Sequence, residues 1–245
     1  TGPTDQQILN DGEWRRMVAA YRRFWDDLIC ERYGARARMI RSEDPRHLIG
    51  VRSGWAGTGS MHAAGGFAYD LVSGVMHLDF TSPEYPGPLR EHGISPAGLT
   101  TLYGRFVSGV YWAEYGTSLG PNAGPEALEA QAACYRQTYS MMEQTCANAG
   151  AGWWYPGGWR IEEGSDYGII NPDGTPRPAA LVSAAGFLNT ECPPGPPDYF
   201  ITFDRDLYVS GYAGVYAAHR DEYAKAASEG KSVGLRTAGT GTDSS

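Results

Sequence analysis

One glutamate stands apart from the other acidic residues of this sequence. Val110-Tyr111-Trp112-Ala113-Glu114-Tyr115-Gly116 is an apolar run that ends in a carboxylate, an aromatic residue and a glycine. A carboxylate held at the end of a buried strand suits nucleophilic or acid–base chemistry. Trp55, Tyr85, Trp112, Trp153 and Trp154 are the aromatic candidates to accompany it. Tyr and Trp combine a flat apolar face with a polar edge, which suits neutral sugars, although the same residues also fill cores. Other polar residues read more plainly. Glu162 and Glu163 read as solvated loop charges, Asp166 as a residue that caps amides of its own loop, and His77 as a packed strand histidine. Asp79, ahead of the Glu84-Tyr85 loop, is a further strand-end candidate.

Composition narrows the class. Hydrophobic residues make up 42% and charged residues 20% of the 245, which is ordinary for a folded chain. With 28 acidic against 20 basic residues the net charge is −8, a surface that repels polyphosphate and excludes nucleic acid as the main partner. No apolar run is long enough to span a membrane, and the first residues carry no charged-then-apolar leader. Cys30, Cys134, Cys146 and Cys192 lack metal-type spacing. Cys134 and Cys146 fall in one expected helix, about 18 Å apart along its axis. They cannot bond to each other while it is intact. Pairings with Cys30 or Cys192 and buried free thiols both stay open.

The elements that must position Glu114 alternate regularly. Trp14, Met17, Val18, Tyr21, Phe24 and Leu28 recur at helical spacing between Asp11 and Tyr33, with Gly34 as a stop. Asp44-Pro45 ends the arginine-rich stretch that follows. Strands are expected at 47–51, 75–80, 106–113 and 152–155, and helices at 95–103, 125–148 and 178–188. Strand–helix alternation implies a parallel sheet with right-handed crossovers. Four strands cannot close a barrel of eight, so the fold reads as an open half of a parallel α/β barrel. Cys192-Pro193-Pro194-Gly195-Pro196-Pro197 is a stiff linker. Residues 1–190 are therefore one unit. Residues 191–245 are an extension or the start of another module, with a strand at 199–203, a helix at 212–227 and a loose end from Thr237.

The run around Glu114 resembles the strand-seven nucleophile motif of family 5 glycoside hydrolases and their relatives in clan A. Asn148-Ala149-Gly150-Ala151-Gly152-Trp153-Trp154 resembles their strand eight, where a tryptophan flanks the bound sugar. Asp166-Tyr167-Gly168-Ile169 and Asn171-Pro172-Asp173-Gly174-Thr175-Pro176-Arg177-Pro178 resemble the run after it, and Asp44-Pro45-Arg46-His47-Leu48-Ile49 the approach to strand five. The likeness covers about residues 11–190. Where many members carry His-x-Tyr after strand six, this chain has Pro83-Glu84-Tyr85, so only Tyr85 matches.

The resemblance implies a retaining glycosidase of the (β/α)8 class acting on a β-linked glucan or mannan, secreted or at the cell surface. Glu114 is its nucleophile, and no metal or cofactor is required. Such a mechanism needs a second carboxyl group about 5 Å away. In the family that group follows an asparagine at strand four, and no Asn-Glu pair occurs in this chain. The expectation is that an N-terminal half-barrel polypeptide supplies it. A non-catalytic carbohydrate-binding protein, or an assembly protein on a glycosidase-like fold, is the rival reading.

Overall fold

The computed structural model describes residues 4, 7, 12–53, 79–83, 109–147, 149–152, 157–186, 196–203 and 212–238. Helix α1 spans Glu13–Glu43. Four short strands follow, β1 (Gly50–Ser53), β2 (Phe80–Pro83), β3 (Gly109–Tyr115) and β4 (Ala149–Gly152). Helix α2 (Pro125–Thr145) lies between the last two, and α3 (Pro178–Gly186) comes after β4. All four strands run parallel in the order β1-β2-β3-β4. β1 and β4 form the two edges of the sheet among the described residues. The expected helix at 95–103 lies outside the described residues.

Helix α1 does not stop at Gly34. It continues to Glu43, with Gly34 buried and Ala37 only 2% exposed. A mid-helix glycine costs roughly 1 kcal/mol, which good helix formers on both sides can carry. The real stop is Asp44, which turns extended (ψ 90°) because the following proline disfavours helical backbone there. Asp44 Oδ1 then accepts the N–H groups of Arg46 (3.0 Å) and His47 (3.1 Å). On the first half of α1 the apolar stripe faces outward, with Met17 53% and Phe24 59% exposed.

β1 and β2 begin later than expected, at Gly50 and Phe80, and pairing shows why. Gly50, Phe80 and Gly109 stand in one row across the sheet. Strand starts are levelled by that register rather than by where local hydrophobicity begins. Asp79 consequently sits at the entry to β2, not at its exit. Its carboxylate accepts the Ile49 N–H (2.7 Å) and pairs with Arg41 of α1. Those bonds, the Ile49 N–H first and the Arg41 guanidinium second, hold the Asp79 carboxyl below its ordinary range against a smaller opposing effect of burial. Asp79 is therefore a structural tie between α1, β1 and β2 and not a strand-end functional residue.

Helix α2 buries Gln131, Ala132, Tyr135, Thr138, Met141, Met142 and Thr145, a spacing that keeps one face inward. Its buried hydroxyls are satisfied within the helix, Thr138 by the Cys134 carbonyl (2.9 Å) and Thr145 by that of Met141 (2.7 Å). It ends three residues earlier than expected, because Cys146 adopts a left-handed conformation (φ 54°) as its cap. With Val110, Trp112, Tyr115, Ile169 and Ala179 this face forms the main core.

Cys146 is disulfide-bonded and Cys134 is free, so the two do not pair with each other. The partner of Cys146 is not among the described side chains.

In the C-terminal segment β5 (Tyr199–Phe203) and β6 (Val233–Thr237) pair in parallel, and α4 (Tyr212–Ser228) packs on both. The sequence reading lacked β6, because Val-Gly-Leu is short and carries a glycine at its centre. Pairing with β5 makes it a strand, and Gly234 is required there since a Cβ would overlap Pro197. No helix among the described residues is long and apolar enough to cross a membrane.

Two outcomes test this packing. Asp79→Ala should lower the unfolding free energy by about 1–2 kcal/mol in urea titration, the value of a charge-assisted hydrogen bond partly open to water. Unchanged stability would remove the tie. Burial raises the Cys134 thiol above its ordinary pKa. Its alkylation at pH 8 should therefore be far slower in the folded chain than in urea, read by mass spectrometry of the peptide. Equal rates would contradict a half-buried, shielded thiol.

Candidate functional site

Glu114 lies on β3 itself, one residue before its end, and is half-buried. The pairing of β3 with β4 is irregular at this point. Trp112 faces Gly150 and Tyr115 faces Gly152, so three steps on one strand match two on the other. An extra residue of this kind changes the alternation of side chains and bends the strand. It lets Val110, Trp112 and Tyr115, which strict alternation would place on opposite faces, join one buried cluster. Glu114 stands between them without belonging to that cluster.

Tyr115 anchors the strand end from behind. Its ring meets Tyr135 at 5.6 Å and Tyr139 edge-on at 5.9 Å, and its hydroxyl donates to the Tyr139 hydroxyl (2.8 Å). Burial foremost, then that hydrogen bond, raises the Tyr115 phenol far above its usual pKa, so it stays neutral at any pH of interest. The aromatic residue of the Glu-Tyr-Gly motif is thus a packing residue on α2.

The next residues are tied to the long loop after β4. The Leu119 N–H donates to the Asp166 carbonyl (2.9 Å), and the Asp166 N–H returns to Ser118 Oγ (2.9 Å). Gln131 Nε2 on α2 donates to the carbonyls of both Thr117 and Gly168 (3.2 Å each). Behind them is a buried ion pair. Arg177 and Asp166 are 5% and 7% exposed and meet in a two-pronged contact, Nη1 to Oδ1 at 3.1 Å and Nη2 to Oδ2 at 2.9 Å. Arg177 also donates to Asn171 Oδ1 (3.0 Å) and the Gly168 carbonyl (2.6 Å). Burial, the largest single influence, pushes the Asp166 carboxyl up. The Arg177 hydrogen bonds and charge, with the backbone N–H groups of Gly158 and Gly168, more than offset it and leave its pKa below the ordinary value.

The loop 157–177 is shaped to admit this pair. Gly157 lies against the Arg177 guanidinium, where any Cβ would overlap it. At the hairpin tip Gly174 takes φ 86°, and Asp173 Oδ1 accepts the Thr175 N–H (2.9 Å). Glu163 pairs with Arg160 (3.1 Å) at the surface, and Glu162 is exposed, so both are solvated loop charges as expected. Asp166 does cap Gly168 within its own loop (3.2 Å). Its larger role, as partner of Arg177 eleven residues on, has a sequence signal only in the opposite charges of Asp166 and Arg177.

Trp112 is wholly buried in the core and has no ring face open to a ligand in this structure. Trp55, Tyr85, Trp153 and Trp154 lie outside the described residues, as do His77 and Glu84. No group of three or more His, Cys, Asp or Glu among the described residues is arranged to hold a metal ion.

No protein-family model matches the sequence, and no curated protein sequence does. Solved structures do share its fold. The β-galactosidase of the Antarctic haloarchaeon Halorubrum lacusprofundi superposes with a TM-score of 0.58 at 19% identity, over 97% of this chain and 37% of that one. An exo-β-1,4-mannosidase from an Opitutaceae bacterium gives 0.53 at 13% identity, over 96% and 52%. A family 10 endo-β-1,4-xylanase from Gloeophyllum trabeum gives 0.50 at 15% identity, over 66% and 52%. This chain spans about half the length of the mannosidase and the xylanase, and less of the β-galactosidase. The structural neighbours are (β/α)8 glycoside hydrolases, and the small parallel sheet of this chain is consistent with part of such a barrel.

Removing one partner of a buried, hydrogen-bonded ion pair strands the other charge. Asp166→Asn should therefore cost about 3–5 kcal/mol of stability at pH 7. Because the folded pKa of Asp166 lies below its unfolded value of about 3.9, its contribution is complete above that value. It disappears as pH falls through the lower, folded pKa. The stability gap between wild type and Asp166→Asn in urea titrations should thus narrow at the acid end. A gap that stayed constant from pH 6 to pH 3 would show that Asp166 is not the ionised partner. Gly157→Ala should destabilise the chain by displacing Arg177, with a matching loss of thermal midpoint.

Proposed function

We propose that this chain carries the nucleophile-bearing part of a retaining glycosidase that acts on β-linked glycans. The observation that carries the reading is Glu114, half-buried at the carboxyl end of β3 in an all-parallel strand–helix unit. In barrels of this class chemistry sits where the strands end. Tyr85 and the Trp153-Trp154 pair, with Trp55, are the proposed sugar contacts. Trp112 is not included, since it is enclosed in the core. The family 5 resemblance of the Glu114 run, and the xylanase, mannosidase and β-galactosidase names of the structural neighbours, support the substrate class.

In the first step the Glu114 carboxylate attacks the anomeric carbon. The glycosidic C–O bond breaks as a separate acid gives its proton to the departing oxygen. In the second step water, deprotonated by that same group, displaces Glu114 and releases the sugar with its configuration retained. The acid/base is supplied from outside this chain, by a half-barrel polypeptide that completes the sheet beyond β1 and β4, its edges among the described residues. The outward apolar stripe of α1 supports such a partner, since exposed apolar patches of this kind mark contact surfaces. The disulfide at Cys146 supports a secreted or cell-surface setting.

The nucleophile can be tested without the acid. A 2,4-dinitrophenyl 2-deoxy-2-fluoro-β-glycoside has a leaving group that departs unprotonated, so only Glu114 and sugar binding are needed. Incubation of the chain with the xylo, gluco, manno and galacto forms should add one fluorosugar mass, mapped to the Glu114 peptide. Glu114→Gln, which removes the charge but keeps the shape, should abolish the adduct. No adduct from any of the four sugars would favour the non-catalytic carbohydrate-binding reading.

A further inference from the structure

We infer that Gln131, Ser118 and the Asp166–Arg177 pair position Glu114, by fixing the backbone through which β3 leaves the sheet. This rests on the nucleophile reading above. Of the five residues after Glu114, four are held by named contacts. Tyr115 is locked into α2, Thr117 by Gln131, Ser118 by the Asp166 N–H, and Leu119 by the Asp166 carbonyl. Gly168 accepts from both Gln131 and Arg177, so the amide and the guanidinium share one backbone oxygen between the two loops. An irregular strand needs such support, because the extra residue before Tyr115 breaks the ladder where Glu114 must be aimed.

The chemistry of Gln131 argues that orientation, not net stability, is its role. It is 1% exposed, and its Oε1 is buried with no hydrogen-bond partner among the described residues. A buried acceptor left unsatisfied is costly, and an apolar side chain of similar size would avoid that cost. What the apolar side chain would lose is the pair of donors that bridges the two loops. A reacting carboxylate displaced by about 1 Å can lose roughly 100-fold in rate, so a support of this kind acts on the chemical step.

The test uses the full chain and the fluorosugar that labels it, with Ser118→Ala, Ser118→Thr and Gln131→Met. Ser118 is exposed, and its hydroxyl accepts from the Asp166 N–H and donates to the neighbouring Leu119 carbonyl (3.1 Å), so its variants should fold. In Ser118→Ala and Gln131→Met the saturating labelling rate should fall roughly 10- to 100-fold while the half-saturating concentration changes little. Ser118→Thr, which keeps the hydroxyl, should restore the wild-type rate. Hydrogen exchange should quicken in the 114–119 peptide of the two slow variants only. A labelled wild type with unchanged rates in Ser118→Ala and Gln131→Met overturns the positioning role alone. An unlabelled wild type overturns the glycosidase reading, and this inference with it.

Discussion

A buried guanidinium against a buried carboxylate is the contact on which the rest of this site depends. Both ions of the Arg177–Asp166 pair lose their water, and attraction alone seldom compensates for that. Here the remaining valences are filled, by Asn171 and the Gly168 carbonyl on one side and by the Gly158 and Gly168 amides on the other. The loop after β4 can therefore run close to the protein interior without leaving charges unpaired. Gly157 is bare of a side chain because the guanidinium occupies that space. Pro178 begins α3 at the residue after Arg177, so the ion pair also fixes where that helix starts.

From the pair, order spreads toward β3. Asp166 uses its carboxylate on Arg177 and its backbone on Ser118 and Leu119, so one residue serves both loops. Gln131 adds a link from the buried face of α2. Rigid elements thus surround a strand whose own ladder is broken by an extra residue. Glu114 sits at that break, half-open to solvent between the buried Trp112 and the buried Tyr115. A reactive carboxylate needs this combination, access on one side and a fixed backbone on the other.

The alternation of strands and helices was legible because hydrophobic period depends only on local spacing. So was the stop at Asp44-Pro45, which is a steric property of two adjacent residues. The buried spacing of α2 and the solvated character of Glu162 and Glu163 were legible on the same grounds. Gly34 misled because a glycine marks a helix end only where the chain must turn left-handed, and here it lies inside a continuous helix beside the buried Ala37. Asp79 misled because its neighbours in sequence are apolar, which does not tell the entry of a strand from its exit.

By itself the sequence determined the presence of helices α1 to α4 and of strands β1 to β5, that the strands of the main sheet run parallel, and that Glu114 falls at a strand end. These follow from residue type and spacing over short range. Only the tertiary structure decided where β1 and β2 begin, because pairing sets Gly50 beside Phe80, two segments far apart in the chain. It also decided that Trp112 and Tyr115 belong to the core, since one extra residue against β4 overrides simple alternation. The pairing of Asp166 with Arg177 and the strand made by Val233–Thr237 arose in the same way, from partners brought near only by folding.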